Sequence, residues 1–76
     1  MPDYSITKLD ISNRYLTILP VDIDKYTNLQ KLDCSWNKLT SLDNLPPNLQ
    51  KLYCWYNPLI YDFEPTLENI RNYIIA

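Results

Sequence analysis

A threefold internal repeat constrains the folding of this chain more than any other feature of its sequence. Apolar residues recur at fixed spacing in three segments: Ile6-x-x-Leu9-x-Ile11-x-x-Arg14-x-Leu16, Leu29-x-x-Leu32-x-Cys34-x-x-Asn37-x-Leu39 and Leu49-x-x-Leu52-x-Cys54-x-x-Asn57-x-Leu59. The copies are offset by 23 and 20 residues, and five positions align in all three. Repeats of this length are typical of chains in which each copy forms one coil that stacks on the next.

Each copy predicts a short strand followed by a bend. Around Leu32 and Cys34 the apolar residues alternate with polar ones, so a strand would turn these two side chains into a core and the others to the opposite face. Stacked copies would place their strands side by side in a parallel sheet, ~4.8 Å apart. Asn37 and Asn57 stand where the chain leaves the strand, and an inward amide there can bond backbone groups that the bend leaves unpaired.

These residues resemble the leucine-rich repeat motif L-x-x-L-x-L-x-x-N/C-x-L. The resemblance implies an α/β fold, a short right-handed solenoid of three coils with a parallel β-sheet on its concave face. Residues 16–23 are similar to the arc of the 23-residue class of repeats, with Pro20 suited to open a helical turn, and residues 39–49 to that of the 20-residue class, whose paired prolines favour extended backbone. The cysteines and a composition with eight Ile, eight Asn and no Gly resemble short leucine-rich repeat proteins of giant DNA viruses of amoebae.

The ends of the repeat array predict a domain of 1–76 with different terminal structures. Residues 1–5 form an N-terminal extension, the three coils span 6–28, 29–48 and 49–64, and 65–76 form a C-terminal capping helix. Leu67, Ile70 and Ile74 would line one stripe of that helix, with Pro65 and Thr66 as its start signals. A frayed tail is the alternative.

Arg14 departs from the motif, because it occupies the asparagine position of the first coil. A guanidinium cannot lie dry and unpaired inside, so either Arg14 points to solvent or Asn13 replaces it through a one-residue bulge. Only residues 1–5 are available to cover the first strand, so we expect it to be poorly covered. Self-association would cover it further.

Composition excludes several classes of function. With no glycine the chain has no glycine-rich phosphate loop, and with no histidine it lacks the commonest general base and catalytic metal ligand. We therefore expect neither an enzyme nor a bound cofactor or metal. The start of the chain has no positive and apolar leader pattern, which predicts an intracellular protein, in host cytoplasm or a virion if viral, that is neither secreted nor bound to a membrane.

The two cysteines, Cys34 and Cys54, are interpreted as core residues. Neighbouring parallel strands would aim both side chains the same way, which suits a disulfide poorly, and no histidine is present to activate a thiol. A disulfide and a reactive thiol are the alternatives.

The outward positions of the strands hold the candidate binding residues. In column order they are Lys8, Lys31 and Lys51; Asp10, Asp33 and Tyr53; Ser12, Ser35 and Trp55; and Asn13, Trp36 and Tyr56. The aromatic rings resemble the anchors that dominate protein interfaces. The candidate partner-binding residues are Trp36, Tyr53, Trp55, Tyr56, Lys31, Lys51 and Asp33. For the lysines the alternative is a solvated rim, with Asp10 and Asp33 as local counter-charges.

The predicted function is therefore a non-catalytic module that binds a protein partner through the concave face of the sheet. The alternative is a structural unit that forms a homo-oligomer through the same face or through the uncovered edge strand. Nucleic acid could stack on Tyr53 and Trp55 beside Lys51, but a net charge of -2 and an isoelectric point near 4.7 disfavour a polyanionic partner.

Overall fold

A computed structural model describes residues 2–75, and for Ile74 and Ile75 the backbone alone. Three strands form one sheet: β1 (Lys8–Asp10), β2 (Lys31–Asp33) and β3 (Lys51–Tyr53). A short 3-10 helix (Ile23–Lys25) lies in the first arc, and an α-helix, α1 (Leu67–Ile75), follows the third coil. None of the helices in this part of the chain has the length and apolar character needed to cross a bilayer.

The sheet is parallel and in the register that the repeat predicts. The strand order is β1-β2-β3, and Leu9, Leu32 and Leu52 are direct partners across the strands, as are the lysines that precede them. Hydrogen bonds continue beyond the strand ends, since the amide of Ile11 donates to the carbonyl of Asp33 at 2.8 Å and that of Cys34 to the carbonyl of Tyr53 at 2.8 Å. The predicted stacking of all three copies is therefore confirmed.

The core is formed by the repeated apolar positions, and it is best covered in the middle coil. Leu29, Leu32 and Leu39 are fully buried, whereas their counterparts in the first coil, Ile6, Leu9 and Leu16, are only half-buried. The difference follows from stacking, because the middle coil has a neighbour on both sides and the first coil has one.

Inward asparagines link the coils as predicted. The side-chain oxygen of Asn37 accepts the N–H groups of Arg14 at 2.9 Å and Leu16 at 3.1 Å, and its amide nitrogen donates to the carbonyls of Ile11 and Cys34, both at 3.0 Å. In the next coil Asn57 repeats the pattern: its oxygen accepts the N–H of Leu39 at 3.1 Å, and its nitrogen donates to two carbonyls of the same kind. Each asparagine thus bonds backbone groups of its own coil and of the preceding one.

The first coil has no such asparagine inside. Arg14 is exposed, and so is Asn13, which shows that the arginine points to solvent and that no bulge brings Asn13 into its place. The backbone N–H of Arg14 donates to Asn37 of the next coil, so this bend has its hydrogen-bond acceptor without a polar side chain at position 14.

The first arc and the N-terminal segment pack on each other. The amide of Ile23 donates to the carbonyl of Pro20 at 3.0 Å, so the helical turn begins shortly after the proline that predicted it. The Tyr4 ring meets the Tyr26 ring edge-on with centroids 4.9 Å apart, and its hydroxyl donates to Asp22 Oδ2 at 2.7 Å. This hydrogen bond is the main reason why the pKa of Tyr4 lies above its ordinary value.

The helix at the other end is confirmed over nine residues, and it packs against the third coil. Thr66 is its N-cap, with Oγ1 accepting the N–H of Asn69 at 3.1 Å, and Ile70 is fully buried. Arg71 Nη2 donates to the carbonyl of Leu49 at 2.8 Å, which ties the helix to the strand-bearing segment. The predicted contribution of Ile74 lies outside the side chains that are described.

An aromatic cluster that the repeat does not predict completes this end. The rings of Tyr61 and Phe63 stack with centroids 4.9 Å apart, and Tyr73 of α1 meets Tyr61 edge-on at 5.3 Å. The hydroxyl of Tyr61 accepts the N–H of Leu42 at 2.9 Å, a backbone donor of the second arc. The three-stranded parallel sheet and the C-terminal helix fit an α/β fold of the leucine-rich repeat type.

Candidate functional site

Three large aromatic side chains project from the second and third coils. Trp36 is 55% exposed, Trp55 63% and Tyr56 69%. Folding usually removes rings of this size from water, so their exposure is the feature of this face that the core does not explain. The structure places all three where the sequence predicts them, outside the apolar columns.

Trp36 and Tyr56 form a stacked pair. Their ring centroids are 3.9 Å apart with an interplanar angle of 19°. The backbone at both residues is left-handed, with φ of 58° and 57°, and Asn13 of the first coil has the same conformation at the equivalent position. Left-handed backbone costs a residue with a Cβ about 1–2 kcal/mol, which asparagine tolerates better than an aromatic residue does. The repeat thus orients two aromatic rings side by side at a position where asparagine would be less strained.

The backbone at this bend is fixed by the neighbouring coil. The amide of Trp36 donates to the carbonyl of Trp55 at 2.9 Å, and in the first coil the amide of Asn13 donates to the carbonyl of Ser35 at 3.1 Å. Because the same bond is present in the first two coils, the bend that carries Trp36 is part of the stacked framework rather than a free loop.

The lysine column lies in register along the strands. Lys8, Lys31 and Lys51 are successive partners, and Lys31 Nζ lies 5.3 Å from the centroid of the Tyr53 ring. Tyr53 is half-buried, so it is the least exposed of the four candidate aromatic residues. A cation over a ring face is attracted to it, which joins the lysine column to the aromatic residues on the sheet.

The two aspartates on the sheet face cap the strand ends. Asp33 Oδ1 accepts the N–H of Ser35 at 3.0 Å, and Asp10 Oδ1 accepts the N–H and the hydroxyl of Ser12 at 2.9 and 2.6 Å. The bonds from Ser12, side chain first, hold the pKa of Asp10 below its ordinary value. Both carboxylates therefore accept hydrogen bonds from the serines that follow the strands, partners that the sequence did not assign to them.

The prediction that Ser35 faces outward is wrong. Its side chain is only 5% exposed, because its hydroxyl turns toward the third coil and accepts the N–H of Trp55 at 3.1 Å. Sequence alternation assigned the serine to the outer face, but it could not show that the neighbouring strand end needs a hydrogen-bond acceptor there.

Trp55 stands apart from the stacked pair, at the rim of a cavity of about 220 Å³. The cavity lies between the third coil and the start of α1, and its walls are mostly apolar: Leu52, Cys54, Trp55, Glu64, Pro65, Thr66 and Leu67. Sequence reasoning missed this cavity, since its walls come from a strand and a segment whose packing the repeat does not specify. The only signal in the sequence is the break of the repeat after Leu59.

Both cysteines are buried free thiols, as the core interpretation predicts. Burial is the first cause that raises the pKa of Cys34 from 9.0 to about 12, followed by the charges of Cys54 and Asp33. Burial also raises the pKa of Cys54, whose Sγ lies 3.4 Å from the carbonyl oxygen of Pro65. Thiols with raised pKa values are poor nucleophiles at neutral pH, because little thiolate is present.

Within residues 2–75, no group of three or more His, Cys, Asp or Glu side chains is arranged to hold a metal ion. The arrangement offers instead a surface: four aromatic rings, a row of ammonium groups and a small apolar cavity beside one of the rings. Such a surface can bury apolar groups and accept negative charge.

Comparison with known proteins identifies the repeat. No curated protein and no solved structure matches the chain significantly. Residues 28–47, which span most of the second coil, match the family model described as Leucine Rich Repeat. Leucine-rich repeats generally mediate protein–protein interaction, and the family is typically non-catalytic. The match covers 20 of the 76 residues, so it shows that the second copy is similar to a leucine-rich repeat, and the first and third copies pair with this copy in register.

Proposed function

We propose that this protein is a non-catalytic interaction module that binds a protein partner through the sheet face, with Trp36, Tyr53, Trp55, Tyr56, Lys31, Lys51 and Asp33 in contact. The coils 6–28, 29–48 and 49–64 then wind as a right-handed solenoid, with this face on the concave side and 65–76 as the cap of one domain. The viral resemblance of the sequence favours action inside a host cell or virion.

The observation that carries the proposal is the stacked pair of Trp36 and Tyr56. Both rings are more than half exposed and both stand on left-handed backbone. Neither the exposure of the rings nor the left-handed backbone stabilises the core, and each costs free energy in the unbound chain. Burial of these rings against a partner would recover the cost of exposure, which makes them suitable anchors.

The rigidity of the pair supports high binding energy per residue. Stacking at 3.9 Å and the bond from the Trp36 amide to the Trp55 carbonyl restrict the rings before binding. Ordering a side chain on binding costs about 0.5–1.5 kcal/mol, so a pair that is already ordered retains more of its contact energy. Buried aromatic anchors at interface centres are typically worth ~2 kcal/mol or more each.

Trp55 and its cavity indicate what kind of group the partner inserts. The cavity is mainly apolar and about 220 Å³ in volume, so it suits one aliphatic side chain. Lys31 and Lys51, two outward columns from Trp55, suit acidic side chains that lie further along the partner. The partner surface expected from this arrangement is an apolar residue with neighbouring carboxylates.

The test compares ring removal at proposed contact residues and elsewhere, with the same change of backbone strain at each position. Trp36→Asn and Tyr56→Asn remove the rings and place asparagine where the first coil already has Asn13 in the same conformation. Tyr15→Asn is the matched control, since Tyr15 is exposed, has φ of 55°, and is not among the proposed contact residues.

Immobilised wild-type and variant proteins are incubated with lysate of the native cell, and the captured proteins are quantified. The proposal predicts a protein that wild type and Tyr15→Asn retain and that the double variant Trp36→Asn/Tyr56→Asn loses. On binding that purified protein, Trp emission should shift to the blue as the indoles leave water. Equal capture by the double variant, or no specific capture at all, would contradict the proposal.

A further inference from the structure

The outer edge of β1 is a second surface, separate from the aromatic face. β1 is the first strand in the sheet order, and among residues 2–75 no strand pairs with its outer side. The apolar residues of the first coil, Ile6, Leu9 and Leu16, are half-buried, whereas the equivalent residues of the second coil are fully buried. The core is therefore only partly covered at this side, where Tyr4 packs against it, while Tyr61, Phe63 and Leu67 pack against it at the other.

The backbone groups at this edge belong to Lys8 and Asp10. Thr7 and Ile11 hydrogen-bond to the second coil, with Lys31 N donating to the Thr7 carbonyl at 3.1 Å and Ile11 N donating to that of Asp33. Residues that bond one neighbour alternate with residues directed to the other side, so Lys8 and Asp10 direct their N–H and C=O groups away from the sheet. A further strand could bond only to these two residues.

We propose that a second copy of this chain pairs with this edge, β1 against β1 in antiparallel orientation, with Lys8 opposite the partner's Asp10. The two sheets would then form one sheet of six strands about a twofold axis at Leu9. This pairing goes beyond the binding of a protein partner on the aromatic face and uses none of its residues.

Charge selects this register among those that the backbone permits. Backbone hydrogen bonds form only where Lys8 or Asp10 lies opposite the partner's Lys8 or the partner's Asp10. For so short a strand this condition leaves three registers. One places Lys8 opposite the partner's Lys8 and one places Asp10 opposite the partner's Asp10; both oppose like charges. The remaining register forms two Lys–Asp pairs and four backbone hydrogen bonds, and opposite charges across a strand pair are stabilising while like charges are not.

The same register joins the two cores. Lys8 and Asp10 are exposed on the outer face of the sheet, and Leu9 lies on the inner face, packed against the core. With Lys8 opposite the partner's Asp10, Leu9 lies opposite the partner's Leu9. The half-buried apolar residues of both first coils would then cover each other, as the second coil covers them on its side.

Charge exchange tests the pairing. Sedimentation equilibrium of the full chain should show a monomer–dimer equilibrium. Lys8→Asp and Asp10→Lys, each alone, place like charges opposite each other and should weaken association about tenfold or more. Association should be restored in two samples. One is the double variant Lys8→Asp/Asp10→Lys, and the other is an equimolar mixture of the two single variants, which can pair only as a heterodimer. Lys51→Asp on β3 is the matched control and should leave association unchanged.

Folding of the variants is checked by circular dichroism, because Asp10 also accepts two bonds from Ser12. If Asp10→Lys fails to fold, Asp10→Asn keeps an oxygen for these bonds, removes the charge, and should still weaken the dimer. A wild-type chain that remains monomeric at all concentrations overturns the proposal, as does a dimer that ignores both β1 variants. A dimer lost with Trp36→Asn instead would assign association to the aromatic face and leave the edge without a role.

Discussion

Replacement of Asn37 by alanine tests how the coils are held together. The Asn37 side chain bonds five backbone groups: the N–H groups of Arg14 and Leu16 donate to its oxygen, and its two N–H groups are shared among the carbonyls of Ile11, Cys34 and Ser35. Asn37 is 7% exposed, so water cannot readily replace these bonds in the folded chain.

The magnitude follows from the two N–H groups that lose their acceptor. A buried polar group left without a partner costs about 1–3 kcal/mol, so two such groups give ~2–6 kcal/mol for Asn37→Ala. At ~0.05–0.15 kcal/mol per residue, a chain of this length has a total stability of roughly 4–11 kcal/mol. The substitution should therefore remove a large part of the stability or unfold the protein.

Asn57→Ala is the matched control, since it deletes the same side chain one coil later. Asn57 is half-buried, and its oxygen accepts one N–H, that of Leu39. We expect a loss of ~1–2 kcal/mol. Urea unfolding followed by far-UV circular dichroism measures both losses. A loss for Asn37→Ala equal to or smaller than that for Asn57→Ala would refute the hydrogen-bond reasoning.

Two further predictions concern the cap and the buried thiol. Tyr61→Phe keeps the ring but removes the acceptor for the Leu42 N–H, so urea unfolding should show a loss of ~1–3 kcal/mol, whereas Tyr73→Phe on the exposed ring should change stability little. Because the folded thiol of Cys34 has a pKa of about 12 against 9.0 for the unfolded one, the folded state holds its proton longer. The contribution of the thiol to the free energy of unfolding is complete below pH 9.0 and is lost toward pH 12, with a slope of about 1.4 kcal/mol per pH unit. Cys34→Ala should remove this slope from the free energy of unfolding measured with urea over that pH range. An unchanged slope in that variant would show that the thiol is not buried.

The repeated columns made the sheet predictable from sequence. Leu32 and Leu52 had to lie on one face if their copies stacked, and the register of the strands follows from the alignment of the copies. The inward asparagines were predictable for the same reason, since Asn37 and Asn57 occupy one column and serve one bend.

Features that depend on the ends of the array were not predictable in this way. Tyr61 lies beyond the last complete copy, so no repeated position indicates that its hydroxyl accepts the Leu42 N–H. The cavity beside Trp55 depends on how residues 64–67 pack against the third coil, which no periodicity specifies. Ser35 was misassigned because alternation gives the side of a strand but not the hydrogen bonds of its neighbour.

The most direct measurement is the detection of scalar couplings across backbone hydrogen bonds by NMR of the isotope-labelled chain. Such couplings connect an amide nitrogen to the carbonyl carbon that accepts its hydrogen bond, so they identify the paired residues without ambiguity. Correlations from the Ile11 amide to the Asp33 carbonyl and from the Cys34 amide to the Tyr53 carbonyl are expected. Partners shifted by one residue, or pairs that follow an antiparallel order within the chain, would contradict the stacked, in-register coils.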